Sequence, residues 1–170
     1  LAAIIVLHLV LAASFARVIY PIDDEAYYAS PAANLLMHGH FGTTTYENQA
    51  LPNLAQRSFW IMPVYPAMLT GWFRVFGVGL WEQRLLSAAF GGLAVWAWYW
   101  IILGLSKDTR LALLTAALLA IDHSVLSGAN GRPDLMGGAW GMLAMAAYVF
   151  FRENRFLVAC FLGYFGTALA

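Results

Sequence analysis

Composition places this 170-residue chain in lipid rather than in water. Hydrophobic residues make up 62% of the sequence, charged residues 11%, and mean hydropathy is +0.69, values outside the range of a soluble globular domain. The formal net charge is zero, so no basic field favours nucleic acid as a partner. Because lipid cannot satisfy backbone polar groups, the apolar runs are predicted to cross as helices, giving an all-α, polytopic transmembrane helical bundle.

Five apolar stretches approach the length of a membrane span, and residues 1–170 are interpreted as one transmembrane domain. The chain begins at Leu1 and ends at Ala170 inside an apolar run, so we expect the N-terminal part of a longer protein, inactive by itself. The predicted spans are about 1–20, 84–105, 110–128, 133–151 and 156–170, with a polar first loop at 21–83.

Basic residues in the short loops predict the orientation of the chain. Lys107 and Arg110 lie between the second and third spans, and Arg152 and Arg155 lie between the fourth and fifth. The positive-inside rule makes both loops cytoplasmic. The first loop and its acids are therefore predicted to face the non-cytoplasmic side.

Two short helices are predicted within the first loop. In the segment 63–77, the large apolar residues recur at helical spacing on one face, so we predict a helix lying in the membrane interface; a helix buried within a loop domain is the alternative. Upstream, Gly39 is a typical helix stop, and the helix before it starts either with Ser30-Pro31 as N-cap and first residue or near Asp24, with Pro31 inside.

Three consecutive acids, Asp23, Asp24 and Glu25, follow the first span directly. Carboxylates beside the acyl region are costly unless they face water, a cation or a polar ligand. One could act as general base toward an acceptor hydroxyl. Helix N-capping is the simpler explanation, since acids are favoured at a helix N-terminus.

Further acids are predicted on the same side of the membrane. Asp134, in the sequence Gly131-Arg132-Pro133-Asp134, begins the fourth span and is either a site residue or a helix-terminal acid. Asp122 and His123 fall in the outer part of the third span, where an ionisable residue usually faces the bundle interior or a cavity, and Arg132 is the expected partner of Asp122.

His38 and His40 flank Gly39 and could ligate a metal together with Asp24 or Glu25. Two histidines spaced by one residue, with no further Cys or His nearby, are more often solvated loop residues. No metal site is therefore assigned, and no cofactor is indicated with certainty, although a divalent cation is possible.

Several short motifs follow one another in a characteristic order: Asp24-Glu25-Ala26-Tyr27-Tyr28, His38-Gly39-His40-Phe41, Pro63-Val64-Tyr65-Pro66, Arg84-Leu85-Leu86-Ser87-Ala88 and Arg132-Pro133-Asp134. This order resembles GT-C type glycosyltransferases, in the family related to protein O-mannosyltransferases and aminoarabinose (lipid A) transferases. The resemblance implies an integral protein of the bacterial inner membrane that moves a sugar from a polyprenyl-phosphate donor to an acceptor lipid, glycan or protein at the outer face, usually with inversion.

The resemblance also implies the site residues. Asp24 matches the candidate catalytic base, Glu25 lies beside it, and Asp134 matches a recurrent acidic site residue. Aminoarabinose transferases carry a Lys before the paired prolines, where this chain has Ile61-Met62. The candidate substrate-binding residues are Asp23, Tyr28, Arg57, as a replacement for that Lys, and Arg132.

Two other functions remain open from sequence. In a secondary transporter, intramembrane acids such as Asp122 would line the substrate path. In a noncatalytic membrane assembly subunit, the Gly-rich fourth span would be a packing surface.

Overall fold

The computed structural model describes residues 1–43, 45, 53–54, 56–57 and 63–169, with side chains described as far as 165. This part of the chain is helical and contains no strand, which confirms the all-α fold class. The helices are α1 (Ala2–Val18), α2 (Asp23–His38), α3 (Val64–Phe76), α4 (Leu80–Ser106), α5 (Thr109–Ala120), α6 (His123–Ser127), α7 (Asp134–Phe151) and α8 (Phe156–Leu169).

Two of the described helices, α4 with 27 residues and α7 with 18, are long and apolar enough to cross a membrane. The helix α1 has 17 residues and meets α2 at an angle of 106°, and the two together qualify as one bent span. The helix α4 begins at Leu80, four residues before the predicted start at Arg84, while α7 begins within one residue of its prediction. The arrangement of five spans stays a prediction.

The third predicted span, 110–128, is not one helix. The helix α5 ends at Ala120. Asp122 has an extended backbone and caps α6, because its side chain accepts hydrogen bonds from the backbone amides of Ser124 and Val125. At 1.5 Å per residue, the 12-residue α5 is about 18 Å long, less than the hydrocarbon thickness. An N-cap residue has a non-helical backbone. The cap at Asp122 therefore separates α5 from α6, although the apolar pattern predicted one continuous helix.

A buried histidine of α1 stabilises the end of α5. The His8 side chain has no exposed surface, and its Nδ1 lies 2.9 Å from the carbonyl oxygen of Ala120. Since a carbonyl only accepts, Nδ1 carries the proton and donates. The ring also packs so close to Gly91 of α4 that a Cβ there would lie 2.5 Å from Nε2. This bond satisfies a carbonyl that the break leaves without a helical partner.

The helix α2 runs without interruption from Asp23 through Pro31 to His38, so the start near Asp24 is correct and the alternative start at Ser30 is wrong. Gly39 takes the left-handed conformation, φ +74°, and ends the helix as predicted. All three acids of the first loop therefore lie in the first turn of α2.

The amphipathic helix α3 links the first loop to the bundle. Its bounds agree with the prediction within one residue at each end, and Tyr65, Leu69 and Phe73 are buried. They share one apolar cluster with residues of α2, α4 and α7: Ala32, Leu86, Phe90, Ala94, Met136 and Ala139. Through this cluster α3 and the start of α7 both pack on α4, which brings residues 131–134 to the first turn of α2.

Candidate active site

A buried arginine of α4 holds the corner between α1 and α2. The Arg84 Nη1 atom donates to the carbonyl oxygens of Ala16 and Ile19, which are at the C-terminal end of α1. Its Nε and Nη2 atoms donate to the two carboxylate oxygens of Glu25, at 2.6 and 2.9 Å. Carbonyls at the end of a helix lack helical partners, so one guanidinium both caps α1 and fixes the first turn of α2.

The Glu25 carboxylate is fully engaged. Both oxygens pair with Arg84, and Oε2 also accepts the backbone amide proton of Ile22 at 3.0 Å, so that Glu25 caps its own helix. The side chain is 2% exposed. Of the two acids predicted to act in the first turn, Glu25 is thus turned into the protein, and its neighbour Asp24 is left at the surface.

A second set of buried hydrogen bonds attaches the loop before α7 to α3 and α4. The Gly131 carbonyl accepts from the Tyr65 hydroxyl at 2.9 Å and from Gln83 Nε2 at 2.6 Å. The Ser87 hydroxyl donates to the Arg132 carbonyl at 3.2 Å. Burial raises the pKa of the Tyr65 hydroxyl far above its ordinary value, so the group stays protonated and donates.

Glycine is favoured at position 131. Its backbone is left-handed, with φ +74°, and a Cβ would lie 3.0 Å from side-chain atoms of Gln83. A residue without a side chain lets this loop approach α4 closely without displacing Gln83. The backbone of Arg132 is consequently held in a fixed place beside α2.

Arg132 joins the two exposed acids that the sequence predicted for one side of the membrane. Its Nη1 lies 3.3 Å from Asp24 Oδ2, and its Nε lies 3.0 Å from Asp134 Oδ2. The side chains of Asp24, Arg132 and Asp134 are 46%, 35% and 62% exposed. The structure thus brings together two of the predicted catalytic acids and one predicted substrate-binding residue, in a cluster open to the surroundings.

Tyr28 lies at the edge of this cluster. Its ring packs perpendicular to Tyr65, with centroids 5.8 Å apart. Its hydroxyl lies within electrostatic reach of Arg132, Asp134 and Asp24 and can donate or accept a hydrogen bond.

Other predicted residues lie outside the cluster. Asp23 is exposed one position before it, and Arg57 is exposed, without an ion pair among the described residues. The prediction that Arg132 pairs with Asp122 is wrong, because Arg132 contacts Asp24 and Asp134. The Ile61-Met62 pair lies outside the described residues.

Asp122 and His123 do not face the bundle interior, one of the two placements that the sequence left open. Both are exposed, Asp122 serves as the cap of α6, and the His123 ring packs edge-on against Phe15. Oδ1 of Asp122 accepts hydrogen bonds from two backbone amides, which is an ordinary structural role for an acid at a helix start. The residue on which the transporter interpretation depended is therefore accounted for by capping.

The histidines that could have bound a metal are exposed at the far end of α2. The rings of His38 and His40 stack with centroids 5.8 Å apart. No group of three His, Cys, Asp or Glu side chains able to hold a metal occurs in the described part of the chain.

Sequence reasoning missed the buried polar residues that position the cluster. The sequence places Gln83 at the end of the first loop, Arg84 at the start of the second span and Tyr65 on the apolar face of the 63–77 helix, and it predicts no hydrogen-bond partner for any of them. A signal was present, since a glutamine and an arginine at the start of an apolar helix are costly unless they have partners. Arg84 binds Glu25, which is 59 residues away in the sequence, and Gln83 binds the carbonyl of Gly131, which is 48 residues away.

Comparison with known proteins shows the family of the chain. A protein-family model described as dolichyl-phosphate-mannose-protein mannosyltransferase matches residues 4–168, nearly the whole chain. Searches of curated proteins and of solved structures gave no match. The match covers both walls of the charged cluster, the first turn of α2 and the start of α7. The chain therefore belongs to the dolichyl-phosphate-mannose-protein mannosyltransferase family, integral membrane glycosyltransferases whose sugar donor is carried on a polyprenyl phosphate.

Proposed function

We propose that this protein transfers a mannosyl residue from a polyprenyl-phosphate donor to an acceptor hydroxyl at the non-cytoplasmic face of the membrane, with Asp24 as the general base. The observation that carries the proposal is the placement of Asp24. Its carboxylate sits at the bend between α1 and α2, half-exposed, in the first turn of a helix held by a buried ion pair.

The chemistry required of such a base is simple. The acceptor oxygen attacks the anomeric carbon, the bond from that carbon to the phosphate oxygen breaks, and the polyprenyl phosphate leaves with the bonding electrons. The acceptor proton passes to the Asp24 carboxylate. Attack from the side opposite the leaving phosphate inverts the anomeric carbon, so one base and one displacement suffice.

The geometry of Asp24 suits this task. Oδ2 is held by Arg132 at 3.3 Å, whereas no hydrogen bond among the described residues takes up Oδ1. One oxygen is therefore oriented and the other is available to a hydroxyl within hydrogen-bond reach. Glu25 has a different role in the proposal: it positions the turn that carries Asp24, because both of its oxygens are bonded to Arg84.

The lipid-linked donor explains why the site lies at a corner between helices. Its isoprenoid tail remains in the bilayer while the phosphate and sugar reach the membrane surface. Exposed apolar side chains surround the end of α3 near this level, namely Val75, Phe76, Val78 and Leu80. These residues suit a helix that lies against acyl chains, in agreement with the predicted interfacial position.

Product stereochemistry tests the reaction itself. We expect the full-length protein, reconstituted in vesicles with a β-linked mannosyl polyprenyl phosphate, to give an α-linked product because a single displacement inverts the anomeric carbon. Digestion with anomer-specific mannosidases measures the linkage. A β-linked product would contradict direct attack by the acceptor, and uptake of free sugar without transfer would favour the transporter.

Labelling from one side of the membrane tests the proposed orientation. In a Cys160→Ser background, we expect Asp23→Cys to react with a membrane-impermeant maleimide added outside intact cells, because Asp23 is exposed beside the site. Lys107→Cys, exposed at the opposite end of α4, is the matched control and should react only after permeabilisation. The reverse pattern would place the site on the cytoplasmic side and overturn that part of the proposal.

A further inference from the structure

We infer that Asp134 acts through Arg132: it holds the guanidinium so that another nitrogen of the same group fixes the Asp24 carboxylate. Asp134 is then a positioning residue rather than a second base. The inference rests on the proposed function, since it concerns how the proposed base is oriented. It assigns to the acid at the start of α7 a role that its position in the sequence does not reveal.

Arg132 forms its two ion pairs through different nitrogens of the planar guanidinium. Nη1 faces Asp24 at 3.3 Å and Nε faces Asp134 at 3.0 Å. The Nε atom is buried and has no aligned hydrogen-bond acceptor among the described residues. Its contact is the ion pair with the Asp134 carboxylate. Because the guanidinium is rigid, fixing Nε restricts where Nη1 points.

The backbone of Arg132 is fixed independently of its side chain. Ser87 donates to the Arg132 carbonyl, and Tyr65 and Gln83 donate to the carbonyl of Gly131. The side chain itself is 35% exposed and has several rotatable bonds. Of its two ion-pair partners, Asp134 lies closer, at 3.0 Å against 3.3 Å for Asp24, so we expect the orientation of Arg132 to depend on that carboxylate.

The role of Asp134 should appear in activity rather than in stability. One of its carboxylate oxygens pairs with Arg132 at the surface. Exposed ion pairs contribute little to stability, so loss of Asp134 should leave the fold unchanged. A displacement of about 1 Å in a catalytic group can nonetheless lower the rate by about 100-fold. Activity should therefore respond to Asp134 although stability does not.

Kinetics of single and double variants test the relay in the full-length protein. We expect Asp134→Asn to lower kcat by roughly 10- to 100-fold with little change in KM for the lipid-linked donor. Arg132→Lys keeps the charge but loses the fork, so it should lower kcat to a similar extent. The double variant should be no slower than Arg132→Lys alone, and Asp134→Glu should recover part of the rate.

Other outcomes overturn the inference. Losses that multiply in the double variant would show that Asp134 acts independently of Arg132. A raised KM with unchanged kcat would make Asp134 a substrate-binding residue. Asp108→Asn, an exposed helix-capping acid at the other end of α4, is the control and should retain normal kinetics. An active Asp24→Asn variant would instead refute the proposed base, so the two failures are distinguishable.

Discussion

An Asp24→Asn variant of the full-length protein is expected to lose mannosyl transfer by about 10²- to 10⁴-fold in kcat, the range that a general base contributes. Asparagine has the shape of aspartate but does not take up the acceptor proton. Its amide oxygen can still accept from Arg132, which lies 3.3 Å from Asp24 Oδ2. Steady-state kinetics with a mannosyl polyprenyl phosphate measure the loss, and KM for the donor should change little.

The matched control is Asp122→Asn. Asp122 is also an acid at the start of a helix, but it caps α6 through two backbone amides and lies outside the charged cluster. Because asparagine caps helices about as well as aspartate, this variant should keep normal stability and transfer. Near-normal transfer by Asp24→Asn would remove Asp24 from the mechanism, and sugar uptake that depends on Asp122 would favour transport.

Breaking the buried ion pair is expected to have the largest effect on stability. Replacing Glu25 with glutamine leaves the Arg84 guanidinium, 4% exposed, without a counter-charge. Removing one partner of a buried pair costs about 3–5 kcal/mol, because the remaining charge stays out of water. The guanidinium also caps the end of α1. We therefore expect the α1–α2 corner to loosen and transfer to fall along with stability.

Unfolding of the purified protein in detergent measures this cost. Arg152→Gln is the control, since Arg152 pairs with Glu153 at 4.0 Å on an exposed turn and should contribute at most about 1 kcal/mol. A double variant, Glu25→Gln with Arg84→Met, should be more stable than Glu25→Gln alone because no buried charge remains. Equal stability of Glu25→Gln and the unmodified protein would show that the pair does not hold the corner.

The two variants separate the roles of neighbouring acids. Asp24→Asn should lower activity at normal stability, whereas Glu25→Gln should lower both. A sequence motif of two adjacent acids suggests one shared role. Their different burial, with Asp24 46% exposed and Glu25 2% exposed, supports the proposal that the first takes part in the chemistry and the second positions it.

Local patterns determined much of this protein from sequence alone. Apolar runs identified a helical membrane protein, and the start of α7 and the end of α2 at Gly39 follow from proline, aspartate and glycine at helix ends. The face of α3 follows from helical periodicity. The motif order led to the family that the comparison shows. Each of these features is encoded within a few residues.

Only the tertiary structure decided which charges meet. Arg132 pairs with Asp24 and Asp134 rather than with Asp122, and Glu25 is buried by Arg84 rather than exposed beside Asp24. The break of the third span at Asp122 likewise occurs within an apolar pattern that predicted one helix. The reason is physical, because the strength of an ion pair depends on the distance between the two charges in the folded protein. Residues about 60 or 100 positions apart become neighbours only when the helices pack.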